Sequence, residues 1–110
     1  MKVYSELVTA LKNTNIPFAE HAWDTRPAVN YGVVAIDGTA ASFQADQHTE
    51  NQAPQGTVDL FTYDNDRTDM ETIQAVLNGF EGCAWYLESV QYEDTPRLIH
   101  WEWVFSLESW

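Results

Sequence analysis

The run Arg97 to Leu107 constrains this chain more than any other segment. Ile99, Trp101, Trp103, Phe105 and Leu107 alternate with His100, Glu102 and Ser106, and a period of two puts the bulky set on one face of a strand. So much apolar surface on one side needs a cover. Two segments have the helical spacing to supply it. Tyr4, Leu7, Val8 and Leu11 form a stripe within Val3 to Lys12, and Met70, Ile73, Val76, Leu77 and Phe80 form another. Thr68 and Glu71 have capping-box spacing at the start of the second helix, and Gly79 and Gly82 offer left-handed geometry for its exit.

The remaining strands follow from shorter patterns. Phe18 to Trp23 alternates, and Asp24 to Pro27 is a turn. Tyr31 to Ile36 is β-branched and is bounded by Asp37-Gly38. Thr57 to Tyr63 places Val58, Leu60 and Thr62 opposite Asp59, Phe61 and Tyr63. Ala84 to Tyr92 pairs across the turn Glu93 to Pro96 with the closing strand. Between Gly38 and Gln55 the pattern breaks down into Ala, Gln, Thr, Asn and Asp, with Phe43 as its large apolar residue. That stretch is long for a connection in a compact domain, and it reads either as two ragged strand arms or as a surface loop. The order is helix, two strands, excursion, strand, helix, two strands. This predicts an α+β fold: an antiparallel or mixed sheet of about five strands with two helices on one face, in a single domain over residues 1–110.

Charge narrows the function classes. The net charge is −12, with Lys2, Lys12, Arg26, Arg67 and Arg97 as the only Lys or Arg residues. Nucleic-acid binding needs clustered cations to displace counterions from phosphates, and anionic membranes need the same. Direct binding to either is disfavoured. An acidic surface keeps a protein soluble, repels DNA or imitates it. Cys83 is the sole cysteine, which rules out an intramolecular disulfide and suits a reducing compartment. Met1 to Glu6 lacks the apolar stretch of a signal peptide.

Candidate chemistry is sparse. His21, His48 and His100 fall on different predicted elements and show no metal-ligand spacing. Cys83 and His100 are the one conceivable nucleophile and base, but Glu81 would raise the thiol pKa. Asp64, Asn65, Asp66 and Asp69 make an oxygen-rich cluster. An EF-hand counted from Asp64 would need Gly and Glu where Asp69 and Ala75 stand. A turn leading into an acidic helix start explains the cluster without a cation. No phosphate-binding loop occurs. The reading is therefore not an enzyme, with no cofactor and no metal. The surplus of aromatics, with Trp23 and Trp110 as exposed anchors, suits protein contacts.

Several segments, in this order, resemble a family of small tail-completion proteins of long-tailed bacteriophages. Leu11-Lys12 through Ile16-Pro17-Phe18-Ala19 is similar to that family's opening, Tyr31-Gly32-Val33-Val34 to its second strand, and Phe43-Gln44-Ala45-Asp46 to its aromatic-x-alanine-aspartate element. Gly56 to Thr62 resembles its central strand, and Trp85 to Glu93 followed by Leu98 to Phe105 is the nearest match. The chain departs from the family at Arg26 to Asn30, where a more proline-rich approach is usual. The resemblance implies a tail terminator, a hexameric ring that caps the tail tube and meets the head connector. Such a ring is assembled in the host cytoplasm and retained in the virion, and DNA passes through its lumen without specific binding. Phe43, Asp46, His48, Trp23 and Trp110 are the interface residues expected on this reading. The alternatives are another neck protein such as a head-closure ring, or an acidic DNA-mimic inhibitor.

Overall fold

The computed structural model describes residues 2–40, 53–64, 67–94 and 97–110. Two helices, α1 (Tyr4–Lys12) and α2 (Thr68–Gly79), accompany five strands: β1 (Phe18–Glu20), β2 (Tyr31–Ala40), β3 (Ala53–Thr62), β4 (Cys83–Asp94) and β5 (Arg97–Leu107). The strands form one sheet in the order β1-β2-β3-β5-β4. β1 runs parallel to β2, and every other neighbour pair is antiparallel. The fold is α+β with a mixed sheet, as the patterning predicted.

The closing strand behaves as its alternation demands. Trp103, Phe105 and Leu107 are buried beneath the helices, and Val58, Leu60 and Val34 join them from β3 and β2. Leu7, Val8 and Leu11 of α1 and Ile73 and Leu77 of α2 close the core. Each such side chain removed from water contributes about 1.5–3 kcal/mol before its entropy cost is counted. The indole N–H groups on this face also find partners. Trp101 Nε1 donates to Thr62 Oγ1 at 3.2 Å, and Trp103 Nε1 donates to Gln74 Oε1 at 3.2 Å. These bonds explain why Thr62 can be fully buried and why Gln74 sits on the inner side of α2.

Local chemistry differs from expectation in four places. The first strand stops at Glu20 and does not reach Trp23, because His21 takes a left-handed φ of 74° that turns the chain out of the sheet. The capping box expected at Thr68 does not form. Arg67 is the N-cap, Thr68 is already helical, and the Glu71 N–H bonds to the Arg67 carbonyl at 2.9 Å. Reciprocal capping is found instead in part at α1, where Glu6 Oε1 accepts from the Val3 N–H at 3.0 Å. At the exit of α2 only Gly82 is left-handed, with φ 81°, while Gly79 ends the helix in ordinary geometry.

The excursion also shrinks from both ends. β2 continues through Ala40 and β3 begins at Ala53, with Gly38, Thr39 and Ala40 opposite Gln55, Pro54 and Ala53. A register shift between Ile36 and Gly38 marks where this two-stranded arm leaves the body. The β3–β5 ladder ends at Gln55 opposite Ser106, and beyond it Pro54 and Ala53 pair with β2 alone.

Because β1 and β2 are parallel neighbours, the chain must cross over between them, and it does so without a helix. The crossover, residues 21–30, is held by side chains. Trp23 Nε1 donates to the Gly32 carbonyl at 3.0 Å, and the Tyr63 hydroxyl donates to the Pro27 carbonyl at 3.0 Å. Asn30 Oδ1 accepts from the Tyr63 N–H while its Nδ2 donates to Asp69 Oδ2, both at 2.9 Å. Among the described residues no helix is long and apolar enough to cross a membrane.

Candidate interaction surface

Both helices cover one face of the sheet, which leaves the other face as the candidate surface. Strand alternation places there the residues that share a face with His100: Phe61 and Tyr31 in the same cross-strand row, Asp59 opposite Glu102 in the next, and Thr57 opposite Val104 beyond it. The first row is a continuous stack. Trp23 meets Tyr31 edge-on at 6.2 Å, Tyr31 stacks on Phe61 at 4.8 Å, and Phe61 stacks on His100 at 4.3 Å. The crossover covers the Tyr31 end of this stack, and Tyr31 is buried.

The second row is electrostatic. Asp59 and Glu102 face each other directly on adjacent strands, an arrangement of like charges that costs stability. His100 offsets it: its Nε2 lies 2.7 Å from Asp59 Oδ1. That hydrogen bond to Asp59 raises the His100 pKa against the opposing effect of burial, with the Asp59, Glu102 and Glu93 charges adding to the rise. Glu102 receives the Ser89 hydroxyl at 3.4 Å.

The sheet then ends at β4, whose outer side faces no described strand. Tyr86, Leu87 and Tyr92 are exposed along it, Tyr92 to 76%. Glu88 sits at a bulge: Leu87 lies opposite Trp103 and Ser89 opposite Glu102, so Glu88 is the extra residue. At the far end of the strand, a cleft of about 530 Å³ is lined by Tyr63, Asp64, Tyr92, Glu93 and Arg97, among others.

The residues singled out in the sequence are scattered. Phe43, Asp46 and His48 lie outside the described residues. Trp110 is exposed to 56%, while its carbonyl accepts the Tyr4 N–H at 3.1 Å. Trp23, expected as an exposed anchor, is half-buried, because its indole is tied to Gly32 and lies against Tyr31. Cys83 and His100 do not meet: Cys83 pairs with Leu107, seven positions beyond His100, which places them roughly 23 Å apart along the strand. Burial pushes the Cys83 thiol up to about 11, so it stays protonated at neutral pH. Asp69 of the acidic cluster serves as the acceptor for Asn30. Among the described residues no group of three or more His, Cys, Asp or Glu side chains is placed to hold a metal ion.

Sequence reasoning missed the His100–Asp59 pair and the exposed β4 edge. The first had a signal, since both residues sit on the polar phase of their strands. Their proximity depends on β3 lying beside β5, which a single sequence does not encode locally. No protein-family model matches the chain, and no curated protein matches it either.

Proposed function

We propose that this chain is the repeating subunit of a tail-completion ring in a long-tailed bacteriophage, capping the tail tube and joining it to the head connector. The observation that carries the reading is that the ends of β2 and β3 stay paired with each other beyond the last β3–β5 pair, Gln55 with Ser106. A subunit that closes a ring needs one surface that projects and a different surface that receives it, because head-to-tail contacts generate cycles. The ends of β2 and β3 are suited to the first role, and the uncovered sheet face is available for the second.

The acidic charge suits the same role. A ring threaded by DNA must let the duplex slide, and if part of the −12 net charge of each subunit lines the lumen, phosphates are repelled from its wall. The segment resemblances set out above, spread from Leu11 to Phe105, support the reading independently of the charge. On this proposal the chain is assembled in the host cytoplasm, stays in the virion at the neck, and acts through contacts without catalysis.

The test is imaging of particles of the phage that encodes the chain. The expected result is a closed ring of six copies between tube and connector. Absence of the chain from purified virions overturns the proposal. So does a monomer or dimer that blocks a DNA-binding enzyme, which would establish the DNA-mimic alternative.

A further inference from the structure

The two edges of the sheet are unequal. β1 offers three residues, whereas β4 offers twelve, Cys83–Asp94, and its outer row of N–H and C=O groups faces no described strand. Long edges are usually blunted by lysine, proline, an inward charge or a bulge, and of these β4 carries the bulge at Glu88. Cys83–Asp94 contains neither lysine nor proline, and it exposes Tyr86, Leu87 and Tyr92. Such a strand is a template for strand addition, in which main-chain bonds give affinity and alternate side chains give specificity.

The charges on β4 decide what can be added. Glu88, Glu93 and Asp94 are its only charged residues, so it carries carboxylates and no cation. Two copies of β4 laid side by side would make only repulsive charge contacts, in either direction and in any register. The other free edge of a second copy, Phe18–Glu20, also brings a carboxylate and no cation. Pairing between copies through these edges is therefore disfavoured. A strand that carries cations across from Glu88 and Glu93 gains from the same charges.

We propose that the β4 edge binds, by strand addition, an extended segment of a different protein bearing lysine or arginine opposite Glu88 and Glu93. Tyr86 and Leu87 point to opposite faces, so an added strand would meet one ring on the open face and one aliphatic side chain on the helix-covered face. The bulge at Glu88 fixes the register. A strand slipped by one residue would exchange its two faces and misplace its cations. The proposal does not depend on the ring reading.

The probe is a blocked ten-residue peptide alternating lysine with valine and threonine, with its glutamate counterpart as the control. Binding is followed by amide hydrogen exchange of the full chain. The lysine peptide is expected to protect amides within Cys83–Asp94, and added salt should weaken it. The Glu88→Lys/Glu93→Lys double variant should lose about tenfold in affinity, and the Glu88→Gln/Glu93→Gln variant should fall between. Unchanged exchange protection elsewhere in the variants shows that they remain folded. Protection confined to another strand, equal binding of the glutamate peptide, indifference to charge reversal, or no binding at millimolar peptide each overturns the proposal. So does self-association through β4. None of these outcomes touches ring assembly, which is read from particles.

Discussion

His100 Nε2 and Asp59 Oδ1 lie 2.7 Å apart on adjacent strands, one register step off the directly opposed pair Asp59 and Glu102. One imidazolium thus offsets a repulsion built into the sheet. Both side chains are about a fifth exposed, so solvent only partly screens the contact.

A pH dependence follows. The folded-state pKa of His100 is raised above its ordinary value of 6.5. A group shifted in this direction stabilises the fold fully below its unfolded pKa, and the contribution is lost as pH rises through the folded pKa. The His100→Asn variant should therefore lose about 1–2 kcal/mol near pH 5.5, and the difference should shrink toward pH 9. Urea unfolding of both proteins across that range measures it. A difference that grows with pH would contradict the assignment.

Asn30 joins three elements through one amide, bonding the Tyr63 N–H at the end of β3 and Asp69 in the first turn of α2. The Asn30→Ala variant leaves a part-buried N–H without its acceptor. The expected loss is about 2 kcal/mol, accompanied by faster amide exchange at Tyr63. The Asn30→Asp variant should be worse than alanine near neutral pH, since it sets a second carboxylate against Asp69.

Trp103 is fully buried, and its N–H depends on Gln74. Gln74→Leu removes the acceptor without opening a cavity, so its cost isolates the orphaned indole at about 1–3 kcal/mol. Thermal unfolding followed by tryptophan fluorescence reads the change.

A side chain at Gly56 would strike the Ala35 carbonyl of β2, and one at Gly32 would strike the ring of Phe18. The obstacle at Gly56 is backbone and cannot rotate away, whereas the Phe18 ring can tilt. Gly56→Ala should therefore destabilise more than Gly32→Ala, by about 2–3 kcal/mol against about 1. The reverse order in chemical denaturation would place the tight approach elsewhere.

A shorter connection between β2 and β3 tests the role proposed for this part of the chain. Replacing residues 40–53 with Asn-Gly joins Thr39 to Pro54, a pair already opposed in the β2–β3 ladder, through a turn that favours two-residue hairpins. The shortened chain should keep its unfolding midpoint and fail to rescue tail completion in a phage lacking the wild-type copy. Wild-type yields of infectious particles would show that residues 40–53 are dispensable.

Much of the fold was legible because side-chain period and burial coincide. Trp101, Trp103, Phe105 and Leu107 lie on the inner face that their spacing demands, and Val58, Leu60 and Thr62 face them from β3. β4 was harder to read. Cys83, Trp85 and Leu87 share one phase, and beyond Glu88 the phase passes to Val90 and Tyr92, so the bulge breaks the alternation within one strand. The parallel pairing of β1 was hidden for a different reason: its three-residue strand is set by the His21 turn and by the Trp23 and Asn30 hydrogen bonds, all of them tertiary. The surface was the least legible part. The exposure of Tyr86, Leu87 and Tyr92 follows from β4 being last in the sheet, a consequence of topology and not of pattern.

The hydrogen bond from the Tyr4 N–H to the Trp110 carbonyl makes one corner of the molecule out of residues from opposite ends of the sequence. A pair of dyes placed there would report fraying of the first helix.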